Sequence, residues 1–431
     1  MTNFHLVILV HGLWGNPHQL SYIERQLKEN IGTNGETEEL WVYKTGSHQG
    51  YLTYDGIDIN GKRISDEIRE ITTSIQISGD NVVKFSIIGY SLGGLIARYA
   101  LGILYANDYF EDITPVNFVT FCSPHVGVLN PLPNSRSAKL YNSYAPLFLA
   151  ITGGQLFLKD QIREIGKPLL VWMADPKSIF YKSLTLFKYR SLYSNVVNDR
   201  RTSWFTSAIS FTDPVNSLVN HSASKIHASY IKGYAPTVID IAKPFYYHDM
   251  REENTGGRSF WFIIRWFKVF LDVVLFTPIW TISFFVTSIQ QRIKLNRRVR
   301  EFFNDASNNL FLLYESIDDE GDADNDCGDN ESTLSDMGHE IMEKIQDTRD
   351  TFLEDVYTAS NDDINSHALA LNEDQKFIID KLNKVGWDKF PIILRQTKAT
   401  HAASIVRQDD PKFAEGKVVI SHFINEIFQV D

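Results

Sequence analysis

An α/β architecture, a mostly parallel sheet with helices on both faces, is predicted by three observations in the sequence. Over residues 1–200, short β-rich apolar runs alternate with turns and amphipathic stretches, the rhythm of strand and crossover helix. Hydrophobicity within the runs is continuous rather than alternating, as in strands buried on both sides. One run, Val82–Gly89, passes through Gly89-Tyr90-Ser91-Leu92-Gly93 directly into a helical stretch, Leu95–Tyr105.

In chain order, the first strand is expected at Leu6–Val10. That run is too short for the hydrophobic region of a signal peptide, and a Gly-rich turn follows it without a cleavage site. Further strands are expected at Leu40–Lys44, Val82–Gly89, Val116–Cys122 and Tyr189–Val197. The texture then changes. Residues 259–289 read SFWFIIRWFKVFLDVVLFTPIWTISFFVTSI, without a charge from Val273 to Gln291, and Arg292, Lys294, Arg297, Arg298 and Arg300 follow. From Glu315 to Asp336 there are ten Asp or Glu and no Lys or Arg, too hydrophilic to bury a core. A helical segment near Gly338–Val356, a last strand at Trp387–Leu394, a turn with His401 and a closing helix at Val418–Phe428 restore the α/β pattern. The expected organisation is therefore 1–215 as the first part of the core, 216–314 as an insertion with a membrane-associating segment at 259–291, 315–336 as an acidic disordered linker, and 337–431 as the helical segment and the rest of the core.

Hydrophobic residues make up 43% of the chain, enough for a large core. The net charge of -11 belongs almost wholly to the acidic stretch, so it is a property of one segment, and no nucleic-acid partner is expected. Two cysteines, Cys122 and Cys327, lie in unlike surroundings; a disulfide framework is not in play, which favours a cytosol-facing chain and makes the sequons at Asn220 and Asn330 chance matches.

The strand–turn–helix around Ser91 is the context in which Gly-x-Ser-x-Gly lifts a nucleophilic hydroxyl above a sheet, at a helix N-terminus that favours negative charge. His11-Gly12-Leu13-Trp14-Gly15 follows the first strand, where backbone N–H groups of Leu13 and of Leu92 would stabilise a developing oxyanion. His11 is expected to hold that loop rather than to act as base. Asp199, just past the strand Tyr189–Val197, is the expected acid, with Asp213 as the alternative. Of seven histidines beyond it, His401 alone lies in a loop after a late strand and before a closing helix, the position of a base; His422 is expected on the surface of that helix. No convergent cluster suggests a metal, and no cofactor is expected.

Together, His11–Asn16, Gly89–Tyr99, Ser123-Pro124-His125-Val126-Gly127, Asn198-Asp199-Arg200 and Thr400-His401-Ala402-Ala403 resemble the fungal serine-esterase and lipase family of the α/β-hydrolase fold, over roughly residues 5–215 and 385–431. The length and single hydrophobic insertion are most similar to its lipid-droplet phospholipases. The resemblance implies that Ser91, Asp199 and His401 correspond to the family triad, and it implies hydrolysis of glycerophospholipids or acylglycerols. The expected partner is then a phospholipid or acylglycerol substrate at a lipid-droplet surface or the cytosolic face of the endoplasmic reticulum. A lipid acyltransferase using the same three residues, and a catalytically silent membrane scaffold, are the rival readings.

About 20 apolar residues span a bilayer. Yet Pro278 interrupts segment 259–291, and a single crossing would put Ser91 and Asp199 on the opposite side from His401. A hairpin turning near Pro278, or a layer lying in the interface, keeps both flanks on one side; a buried pair of core helices is the alternative without lipid.

Overall fold

The computed structural model describes residues 2–31, 38–132, 136–163, 165–215, 217–218, 226–247, 293–304 and 369–430. Its centre is a six-stranded sheet formed by β1 (Asn3–Val10), β2 (Glu38–Lys44), β3 (Asn81–Tyr90), β4 (Thr114–Phe121), β5 (Tyr189–Asn195) and, from the far end of the chain, β8 (Asp388–Ile392). The spatial order is β2-β1-β3-β4-β5-β8, and every pairing is parallel. All six expected strands are present. The first four begin one to three residues earlier than their apolar runs, as Asn3 and Glu38 do, because backbone pairing extends beyond side-chain hydrophobicity, whereas β5 begins where its run does and β8 one residue after.

The continuous apolar runs explain why the strands lie between two layers. In β1, Leu6, Ile8 and Val10 face one core and Val7 and Leu9 the other, so the two-residue period of the pleat feeds both. The first core is closed by α2 (Ile57–Ile77) and α3 (Leu92–Ala106), the second by α1 (Ser21–Ile31) and the closing helix Ala414–His422. The latter begins four residues before the expected Val418 and continues through Phe423–Ile427 as a single π turn. β2 is the more open edge, with Trp41 exposed.

The other edge, β8, is covered. Val238 bridges Ile392, Ile239 N–H donates to Pro391 O at 2.9 Å, and Ile393 N–H donates to Thr237 O at 2.9 Å. A short hairpin, β6 (Ile226–His227) with β7 (Tyr246–Tyr247), flanks this contact. Residues 226–247, part of the stretch expected as an insertion, thus shield the edge that an added strand would otherwise expose. Residues 293–304 are helical: Leu295 is buried, Phe302 packs against the first core, and Arg298 donates to the wholly buried Asp55 at 2.7 and 3.2 Å. Arg63 binds the same carboxylate at 2.8 Å. The hydrophobic segment 259–291, the acidic stretch 315–336 and the helical segment near Gly338–Val356 lie outside the described residues. Among those described, no helix is long and apolar enough to cross a membrane.

Candidate active site

Strand order reverses at β1, which lies between β2 and β3, so the loops leaving the carboxyl ends of β1 and β3 diverge and open a crevice there. Those loops are His11–Gly15 and the turn at Ser91. β3 ends at Tyr90, α3 begins at Leu92, and Ser91 between them has φ 54° and ψ -128°, a conformation that L residues adopt only when their surroundings impose it. Ser91 N–H donates to Phe121 O at 2.9 Å. A methyl group on Gly93 would lie 2.2 Å from Val10 O, and one on Gly12 would lie 2.7 Å from Ser91 Cβ and 3.3 Å from Ser91 Oγ. The turn can therefore close against the β1 loop only if both positions lack a side chain. Leu92, as the first helical residue, has an N–H without an intrahelical acceptor.

The β1 loop is held from beneath. His11 is fully buried, its Nδ1 hydrogen-bonds Gly12 O at 3.0 Å, and its ring stacks on His48 at 3.7 Å, while His48 Nε2 donates to His11 O at 3.1 Å. Burial lowers His11 to about 4 and takes His48 well below the ordinary histidine range, so both stay neutral near pH 7. The loop-holding role expected of His11 is what these contacts describe. Trp14 N–H donates to Thr53 Oγ1 at 3.1 Å, fixing the loop's outer end.

Asp199 and His401 meet across 202 positions of sequence. His401 Nδ1–H donates to Asp199 Oδ2 at 2.8 Å, with both side chains buried. The same carboxylate accepts from Asn195 Nδ2 at 3.1 Å, Arg201 N at 3.1 Å, Thr202 N at 2.9 Å and Thr202 Oγ1 at 3.0 Å. Burial pushes Asp199 upward, but the His401 charge and these hydrogen bonds outweigh it and hold the carboxyl at about 2. With Nδ1 donating to Asp199, Nε2 is the ring nitrogen left to take up a proton. That Nε2 is buried and has no hydrogen-bond partner among the described residues. Tyr90, the residue before Ser91, donates its hydroxyl to His401 O at 3.1 Å, and the two rings lie 5.0 Å apart. The histidine is thereby tied to the strand end that carries the serine.

Asp213 is elsewhere: its carboxylate accepts from Ser217 N and from Ser217 Oγ, the latter at 2.7 Å, closing a local turn. His422 is a correction. It was expected on the surface of the closing helix and is buried instead, Nδ1 bonded to Tyr193 OH at 2.7 Å and the ring set among Tyr234 and Phe390. Asn195, Thr202 and His48 were not singled out from the sequence. Thr202, three residues after Asp199, is the one with a local signal, since an Asp followed by a threonine in a tight turn closes its own hydrogen-bonded ring. Cys122, at φ 48° just past β4, has its sulfur within 4.8 Å of the Asp199 and His401 ligand atoms. Burial, then Asp199, pushes its thiol upward, and Asn195 Nδ2 donates to the sulfur at 3.3 Å. A metal would need that thiol ionised and the Asp199–His401 bond broken. These atoms are instead engaged with one another.

Residues 1–210 match the family described as "Putative serine esterase". Among curated proteins, the chain is 29% identical over 242 residues to Putative lipase C4A8.10 of Schizosaccharomyces pombe, covering 55% of this chain and 30% of that protein. It is 30% identical over 212 residues to Putative lipase ROG1 of Saccharomyces cerevisiae, covering 48% and 29%. The chain thus spans less than a third of the length of these relatives. Among solved structures it overlaps phospholipase PlaB from Legionella pneumophila with a TM-score of 0.30 at 15% identity, over 50% of this chain and 42% of that one. The fold assignment rests on the parallel sheet and the strand–turn–helix at Ser91 rather than on that overlap.

Proposed function

We propose, since residues 1–210 match the putative serine esterase family, that this chain is a lipase or phospholipase hydrolysing acyl esters of glycerophospholipids or acylglycerols at a lipid surface. The observation that carries the proposal is the buried Asp199–His401 pair with a bare Nε2, tied through Tyr90 to the strained turn of Ser91. Names of the relatives as lipases support the choice of lipid esters. The aromatic, nearly uncharged segment 259–291 supports a lipid-droplet surface or the cytosolic face of the endoplasmic reticulum as the place of action.

In this reading Ser91 Oγ attacks the ester carbonyl while His401 Nε2 takes its proton. Asp199 holds the imidazole in the required tautomer and balances the imidazolium that forms. The N–H groups of Leu13 and Leu92 receive the oxyanion, and their worth is greatest because the site is preorganised before charge develops. His401 then returns the proton to the leaving alcohol, and water repeats the sequence on the acyl-enzyme. No step calls for a cofactor.

The test is Ser91→Ala. Purified protein incubated with a mixed lipid extract should release fatty acid, and a fluorophosphonate should label it. The variant should lose both while its circular dichroism and melting temperature stay close to those of the parent. Fluorophosphonate labelling that persists in the variant overturns Ser91 as nucleophile; labelling that is lost, with no lipid in the extract deacylated by the parent, leaves a serine esterase of another substrate class.

A further inference from the structure

We propose that the outer face of the Arg136–Phe148 helix is the surface by which the folded domain docks on an anionic phospholipid interface. The proposal rests on the lipid-surface reading above and names the part of the folded domain that makes contact.

Leu140, Tyr144 and Leu147 recur at i, i+4 and i+7 on this helix and are 59%, 57% and 57% exposed. Scattered exposed apolar residues are ordinary; a stripe repeated over successive turns, extended by exposed Phe148, is a contact surface. The surrounding charge selects the partner. Between Asp112 and Asp160 the sequence has no acidic residue but contains Arg136, Lys139 and Lys159. Lys139 and Lys159 are exposed. A second copy of the same face would bring like charges together without an acidic partner. An anionic headgroup layer satisfies the lysines and takes the stripe into its acyl boundary.

The position of the helix gives the contact a consequence for chemistry. The following helix, Ala150–Leu156, donates through Thr152 Oγ1 to Thr53 O at 2.6 Å, and Thr53 Oγ1 accepts from Trp14 N in the β1 loop. Asp55, two residues on, binds Arg298 of helix 293–304, which follows segment 259–291 directly and exposes Ile293 and Arg297. The helix that follows the docking helix and helix 293–304 therefore both bond to one turn, Gly50–Asp55, which in turn holds the loop beside Ser91.

The experiment places an environment-sensitive nitrobenzoxadiazole dye on Leu147→Cys in the full chain carrying Cys327→Ser, Cys122 being buried and unreactive. The control is the same dye on Ile77→Cys, a position 82% exposed at the far end of α2; a 21-residue helix places it about 30 Å from the Gly56 end. Vesicles of phosphatidylcholine with roughly a third phosphatidylserine should shift the dye to the blue at position 147 and not at 77, with partitioning at least about tenfold weaker on phosphatidylcholine alone. No shift at 147, or equal shifts at both positions, overturns the proposal. A shift that grows with protein concentration without vesicles assigns the face to a second copy, and one already present and unmoved by vesicles assigns it to another part of the chain; either overturns it too. A vesicle-dependent shift in a protein that deacylates no lipid sustains the docking face and sinks the lipase reading instead, so the two failures are distinct.

Discussion

At the scale of single residues, the site turns on one atom. A buried nitrogen without a partner costs about 1–3 kcal/mol, and His401 Nε2 bears that cost while Nδ1 is bonded to Asp199. Asp199→Asn should lower turnover by a factor on the order of 10⁴, because an amide holds the imidazole without fixing its tautomer or balancing its charge. Asp213→Asn, which alters only the turn at Ser217, should leave turnover within a few-fold; steady-state kinetics on a soluble ester ranks the two. Stability carries its own signature. Asp199 sits at about 2 in the fold against an ordinary 3.8, so its interactions contribute fully above pH 4 and are lost as pH falls toward 2. The gap in melting temperature between the parent and Asp199→Asn should therefore close as pH falls from about 4 toward 2. Ser91 was legible because strand, turn and helix follow one another without a break from Asn81 to Ala106. The environment of His422 was not, because a helix pattern cannot say what lies on its outer side; here rings from Tyr193, Tyr234 and Phe390 close over it.

Elements explain why two loops from different strands meet at a serine. The β1 loop and the Ser91 turn touch where Gly12 faces Ser91 Cβ and where Gly93 faces Val10 O. Gly12→Ala would force the loop back from the serine, and with it the N–H of Leu13. Turnover should fall by about 10²–10³, the usual cost of one lost oxyanion donor. Binding of a substrate analogue should change little, because the acyl and alcohol portions keep their contacts; a KM that rises in proportion as kcat stays constant would show that Gly12 acts on binding instead. The strands themselves were readable from continuous apolar runs, since burial on both faces leaves no alternation to misread. The coverage of β8 was not readable. It rests on Val238, Ile239 and Thr237 pairing with residues more than 150 positions later, and no local pattern in 226–247 announces it.

The whole molecule is a sheet whose last strand, base and closing helix are separated from the rest by 259–291 and 315–336. On the proposed lipid-surface reading, removing residues 259–291 should release the protein from lipid droplets or endoplasmic reticulum into the cytosol while soluble-ester activity persists. Activity on packed lipid should fall sharply. Cell fractionation with a soluble-ester assay of the cytosol checks this, and a deletion variant that aggregates or loses that activity would make the segment part of the core. The order of parts was legible from texture. The meeting of Asp199 with His401 was not: it is decided by β8 adding beside β5, with Ser191 opposite Asp388 and Asn195 opposite Ile392, a register set by the whole sheet.

Because β8 and His401 come so late, synthesis itself imposes a delay on activity. At about 5–20 residues per second, roughly 15–60 s separate the emergence of Ser91 from that of His401. During that interval the nascent chain already holds Ser91 and Asp199, yet lacks the histidine proposed to join them. A ribosome stalled in the acidic stretch, or a protease cutting there before β8 docks, leaves a product without the Asp199–His401 pair. The long detour between the two halves acts as a timer that keeps the site silent until β8 and His401 have been made.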